Sequence, residues 1–200
     1  HFLRQVCRAL REAHGVGLVH RDIKPSNVIA CERGGVDDVA KLLDFGLVQA
    51  AWLSEDPMRL TVQGTILGSP PYMSPEQAAG LQDLDVRTDI YSLGAVAYFL
   101  LTGQPPFRRD TAMQVLLAPA SEPPVPPREL RPEVPADLEA VVMRCLAKKR
   151  EDRYPDVAAL ERALAACADA DAWTEEQAAA WWKGRGAPAE TDHHLALTTP

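Results

Sequence analysis

The sequence predicts a mainly α-helical domain that carries one small β-hairpin. Three observations make that prediction. Apolar residues recur at helical spacing from Phe2 to Leu10, from Leu138 to Leu146 and across 156–166, and run almost without interruption from Ile90 to Leu101. Short β-type runs cluster between 18 and 43, and residues 44–88 show almost no periodicity while carrying Gly46, Pro57, Gly64, Gly68, Pro70, Pro71, Pro75 and Gly80. With 200 residues, 46% of them apolar, the chain is long enough to bury a core without a metal or disulfide staple.

Taken in order, Phe2, Leu3, Val6 and Leu10 place a helix whose expected stop is Gly15. No Ser, Thr, Asp or Asn caps its start, so the sequence is expected to begin inside an element. Leu18-Val19, Val28-Ile29-Ala30 and Val39 to Leu43 read as strands, the last two forming a hairpin around Gly34-Gly35. Asp89 to Thr102 is a helix buried on most sides, closed by Gly103 and Pro105-Pro106. Seven of the 17 prolines lie between Pro119 and Pro135, which predicts a stiff extended connector there, with docking to an SH3-like partner as the alternative. Beyond Cys167 the chain turns Ala-rich and acidic. Thr174 and Gln177 are spaced as a capping box before a short helix holding Trp181-Trp182, and disorder is expected after Gly184.

Charge and cysteine usage narrow the function. A formal charge of −7 gives no footprint for nucleic acid, although −4 of it belongs to the segment from Cys167 onward, with six acidic and two basic residues. The longest apolar run falls short of the roughly 18–20 residues of a membrane span. No leader pattern opens the chain, and Cys7, Cys31, Cys145 and Cys167 lack metal-ligand spacing, so reduced thiols and a cytoplasmic location are expected. His14 and the pair His193-His194 are assigned to surface or local packing, and His20 to a packed structural role.

Three separated motifs carry chemistry: His20-Arg21-Asp22-Ile23-Lys24-Pro25-Ser26-Asn27, then Asp44-Phe45-Gly46, then Ser74-Pro75-Glu76. Singly, Asp22 reads as a turn former and Asn27 as a cap. In this order and spacing they closely resemble the catalytic-loop, Mg-binding and activation-segment signatures of the eukaryotic-like serine/threonine protein kinases. The resemblance spans roughly residues 1–166 and implies the mainly helical C-terminal lobe of that catalytic domain, N-terminally truncated, followed by a tail from 167 to 200.

The resemblance implies a role for each residue. Asp22 accepts the proton of the attacking hydroxyl, and Asn27 and Asp44 are hard oxygen ligands for the Mg²⁺ that accompanies ATP. Lys24 is the γ-phosphate-contacting lysine, which favours Ser/Thr residues of proteins as substrates. Arg21 pairs with a phosphorylated residue on the segment after Asp44, where Thr61, Thr65 and Ser69 are the candidate sites and Ser54 a further polar position. Ser69 stands where the family more often has Thr, and Ser74 where it often has Ala. Asp89 accepts backbone hydrogen bonds from the catalytic loop, and Glu76 pairs with Arg153 in a buried ion pair.

The family's small lobe contributes a Gly-rich loop, a strand lysine and a helix glutamate, and these 200 residues contain none of them. Gly15-Val-Gly17 lacks the third glycine and leads into the catalytic loop, and Lys41 lies on the wrong strand. The resemblance therefore implies a protein serine/threonine kinase fragment that is inactive by itself. The alternatives are a non-catalytic docking module and, more remotely, a small-molecule phosphotransferase. The substrate, the activating signal and any sensor or membrane domain elsewhere have no signature here.

Overall fold

Helix α1 (Phe2–Gly15) ends at its expected stop, and the chain turns at Gly17. Gly17 has φ +77°, its N–H donates to the His14 carbonyl at 3.0 Å and Leu18 N–H reaches Ala13 O at 2.9 Å. These paired bonds close the helix as a Schellman motif. Leu18-Val19 form no strand, because the next two backbone N–H groups are taken by a side-chain carboxylate rather than a neighbouring strand.

The computed structural model describes residues 1–45, 61–62, 65–66 and 69–185, with only the backbone at 61–62, 65–66 and 185. Strands β1 (Val28–Arg33) and β2 (Val36–Leu42) pair antiparallel from Val28↔Leu42 at the open end to Arg33↔Val36 at the turn. Gly34 and Gly35 both have positive φ, +62° and +78°, as a tight two-residue hairpin turn demands. Register slips between Cys31 and Arg33, and Asp38 on the opposing strand adopts φ +58° there. Such a bulge re-aims a side chain. Two two-residue strands, β3 (Thr61–Val62) and β4 (Thr65–Ile66), form a second antiparallel pair.

Helix α2 (Pro75–Ala78) is a single capped turn, and α3 (Val86–Thr102) follows. Asp85 caps α3 by accepting from Arg87 N, which starts the helix three residues before Asp89, and Gly103 ends it at φ +76°. From Thr88 to Tyr98 every residue is buried, so α3 is the centre of the molecule. Pro119 lies inside α4 (Ala112–Ser121), and the remaining prolines bracket the one-turn α5 (Pro127–Leu130) before α6 (Ala136–Cys145). Asp156 caps α7 (Val157–Ala165), and α8 (Glu175–Arg185) follows the realised Thr174/Gln177 box. Residues 186–200, which the sequence assigns to disorder, lie outside the described residues.

One core cluster joins Val6, Cys7 and Leu10 of α1, Ile90, Leu93 and Val96 of α3, Val141 and Cys145 of α6, and Val157, Leu160 and Leu164 of α7. All four cysteines are free, and burial pushes the Cys7 thiol up to about 12 and that of Cys145 up as well. Helices α3 and α6 approach each other closely at Gly94. A Cβ on Gly94 would lie 2.4 Å from Cys145 Cβ, so the two helices approach only because that position has no side chain. Gly94→Ala is expected to cost about 1–3 kcal/mol through overpacking. Thermal unfolding checks this, and an unchanged midpoint would show that the interface can spread.

Candidate active site

A buried carboxylate shapes the loop that follows α1. Asp89 is fully buried, and its two oxygens accept from His20 N and Arg21 N, both at 2.8 Å. His14 Nε2 adds a third contact to Asp89 Oδ2 at 2.8 Å. The assignment of His14 to mere surface or local packing is therefore corrected: it buttresses the carboxylate that holds the loop. Between these contacts Arg21 has φ +67°, a conformation that costs a non-glycine residue about 1–2 kcal/mol and persists only when its surroundings enforce it.

His20 is 1% exposed and also structural. Its Nε2 meets the Leu43 carbonyl at 2.9 Å and its Nδ1 accepts from Asp22 N at 3.3 Å. A carbonyl only accepts, so the ring proton is on Nε2. The imidazole thus bridges the loop to the end of β2, and Phe45 packs on it with ring centroids 4.7 Å apart.

Asp22 gathers the polar side chains. Lys24 Nζ lies 2.7 Å from Asp22 Oδ2, and Ser69 Oγ donates to Asp22 Oδ1 at 3.3 Å. Asn27 Nδ2 donates to Asp22 O at 2.9 Å and to its Oδ2 at 3.3 Å. That commits the amide nitrogen, so the Asn27 carbonyl oxygen is the atom left to meet a ligand. Leu43 N–H donates to Asn27 O at 2.9 Å, tying the strand end that leads into Asp44 to the loop. Asp44 is exposed, has φ +60° and makes no hydrogen bond among the described residues. Asn27 Oδ1 and the Asp44 carboxylate are thus two hard oxygen donors at the open end of one hairpin, a set suited to Mg²⁺. Among the described residues no group of three or more His, Cys, Asp or Glu forms a metal cage. Mg²⁺ needs none where phosphates and waters complete its shell.

The segment that faces this loop is anchored from behind. Ser74 and Gln77 form a reciprocal capping box, and Gln77 Nε2 also donates to Arg21 O at 2.7 Å. Glu76 accepts from Arg153 at 2.6 and 2.8 Å and from Thr88 Oγ1 at 2.9 Å. Arg153 is 1% exposed, and its other N–H groups reach the carbonyls of Ala147, Arg87 and Lys148. All five guanidinium donors are thereby used, which is what makes a buried charge tolerable.

Of the remaining expectations, the backbones of Thr61 and Thr65 lie on β3 and β4, while Ser54 and Gly46 fall outside the described residues. Arg21 Nε is buried and has no hydrogen-bond partner among the described residues. Sequence reading missed His14, Gln77 and also Gln5, whose amide bridges Asp38 O at 2.7 Å and Ala40 N at 3.0 Å.

Residues 1–164 match the protein kinase domain, so the chain belongs to the protein kinase family, whose members are phosphotransferases that generally use ATP and Mg²⁺. It is 46% identical over 162 residues to the serine/threonine-protein kinase Pkn1 of Myxococcus xanthus, covering 81% of this chain and 23% of that protein. The DNA damage-responsive serine/threonine-protein kinase RqkA of Deinococcus radiodurans is 42% identical over 187 residues, 94% of this chain and 26% of that protein. The serine/threonine-protein kinase PknB of Mycobacterium tuberculosis is 38% identical over 162 residues, 81% and 25% respectively. The chain spans about a quarter of the length of these relatives. All three of these relatives are serine/threonine-protein kinases by name. No helix among the described residues is long and apolar enough to cross a membrane.

Acid should weaken the Glu76 anchor. Burial alone would raise its pKa, but the Arg153 hydrogen bonds and charge, with Thr88, outweigh it and hold the carboxyl below its ordinary value of 4.5. A group depressed in the folded state adds stability that is complete above 4.5 and is lost as pH falls through the lower folded value. Denaturant titrations from pH 6 downward should show Glu76→Gln about 3–5 kcal/mol less stable near neutrality and converging on the parent at low pH. A constant difference across that range would remove the charge from the explanation.

Proposed function

We propose that the chain is the helical, substrate-facing lobe of a serine/threonine protein kinase, and that Asp22 takes the proton from the Ser or Thr hydroxyl of a protein substrate. The observation that carries this is the convergence of Lys24, Asn27 and Ser69 on the Asp22 carboxylate. The substrate oxygen attacks the γ-phosphorus of ATP, the bond to the bridging oxygen breaks, ADP leaves, and the hydroxyl proton passes to Asp22. Lys24, beside the base, offers a cation to the transferring phosphoryl oxygens.

Asn27 Oδ1 and Asp44 would hold Mg²⁺, which when bound neutralises charge on the ATP phosphates. Asn27 also acts on the base, because its Nδ2 keeps the Asp22 carboxylate turned toward the incoming hydroxyl. Ser69 does the same from the segment on which the substrate lies, coupling that segment's position to the base. The buried Nε of Arg21, which has no partner among the described residues, supports a role in gripping a phosphorylated residue of the activation segment, with Thr61, Thr65 and Ser69 as candidate autophosphorylation sites.

Phosphoryl transfer depends on positioning, and a nucleotide must be covered as well as met from below. These 200 residues include no Gly-rich phosphate loop, so by themselves they are expected to bind ATP weakly and to turn over little. In a protein that joins them to a nucleotide-covering lobe, Asp22→Asn should lower kcat at least about 100-fold and leave ATP affinity within about twofold. Asp44→Ala should instead raise the Mg²⁺ concentration needed for half-maximal rate. Unchanged turnover in the first variant removes Asp22 from the base role, and an unchanged Mg²⁺ requirement in the second removes Asp44 from the metal.

A further inference from the structure

The segment after α7 contacts the rest of the molecule at several places. Ala168 N–H donates to Asp137 Oδ2 at 2.7 Å, and Asp171 pairs with Arg4 at 2.7 Å. Ala178 of α8 is buried. The most elaborate of these contacts converges on a single carboxylate. Asp38 Oδ2 accepts from Trp173 Nε1 and Asp38 Oδ1 from Trp182 Nε1, each at 2.6 Å.

Asp38 is only 3% exposed, and its left-handed backbone at the bulge of β2 turns the side chain out to meet both indoles. Trp173 precedes α8 and Trp182 lies near its end, so one carboxylate pins the helix at two points and removes its freedom to slide or rotate. Charge-assisted bonds of this kind are roughly twice as strong as neutral ones. The hairpin they grip is the one whose open end presents Asn27 and Asp44. Asp38 O and Ala40 N are held in turn by Gln5 of α1.

We propose that residues 168–185 are a strap buckled on Asp38, and that Asp38, Trp173 and Trp182 are positioning residues holding the β1–β2 hairpin, and through it the Asn27 and Asp44 ligands, in register for Mg²⁺. This rests on the metal assignment made above. Undocking the strap frees β2 at its middle and lets the two ligands drift apart, so metal affinity reports whether α8 is seated.

The test uses the whole 200-residue chain and Mn²⁺ alone as the probe. Paramagnetic broadening of the Asn27 side-chain amide and the Asp44 backbone amide gives the metal midpoint, and hydrogen exchange of the β2 amides reports the hairpin directly. Trp173→Phe/Trp182→Phe keeps the rings but removes both donors. It is expected to lower β2 protection about tenfold and to raise the Mn²⁺ midpoint about fivefold or more, with the α3 amides unaffected. Asp38→Asn keeps one acceptor and should fall between the parent and that double variant. Loss of β2 protection with an unmoved midpoint would overturn the positioning role, and no change in either would overturn the strap. Broadening that misses Asn27 and Asp44 in the parent chain would overturn the metal assignment itself and this proposal with it.

Discussion

The Asp89 carboxylate is the interaction on which the site depends. It sits inside α3, the most deeply buried helix, and has no exposed surface. From there it accepts the N–H groups of His20 and Arg21 and the His14 ring. A charge in that position is tolerable only with its acceptor capacity filled, and two of the donors that fill it are backbone groups of the loop that carries Asp22. Core and loop are therefore not independent. The buried charge needs the loop in place, and the left-handed turn at Arg21 needs the buried charge.

From that anchor the functional side chains are placed by short, mostly local constraints. Arg21 O accepts Gln77, which belongs to the capping box that also orients Glu76 toward Arg153. His20 reaches across to Leu43 and so links the loop to the strand that delivers Asp44. The loop is thus tied to the hairpin and to the segment after Pro70 by hydrogen bonds that do not involve Asp22. Such redundancy gives the preorganisation that phosphoryl transfer requires of a protein.

The helical elements were legible in the sequence because they rest on short-range rules, and the residues around Asp22 because their motifs resemble those of a known family. Apolar periodicity placed α1, α3, α6 and α7, and the resemblance of three ordered motifs to the serine/threonine protein kinases singled out Asp22, Lys24, Asn27 and Asp44 as the proposed site. A boundary moved where capping decided it, as at Asp85. Contacts between distant positions left no local trace. His14 meets Asp89 across 75 residues, and Trp173 and Trp182 meet Asp38 across 135 and 144. The Thr174/Gln177 spacing announced a helix start, but neither it nor the paired tryptophans said that a carboxylate at a β-bulge would receive them. Asp38 reads in sequence as an ordinary hairpin acid; its burial follows from the strap.

The central claim, that one buried carboxylate sets the geometry of the loop that carries Asp22, is tested most directly by amide hydrogen exchange of Asp89→Asn read residue by residue. Asn retains one acceptor oxygen and turns an NH₂ toward groups that are themselves donors, so it cannot serve both backbone amides. At least one of the His20 and Arg21 amides is expected to lose about tenfold or more of its protection while the α6 and α7 amides keep theirs. Both amides staying as protected as in the parent chain would contradict that claim.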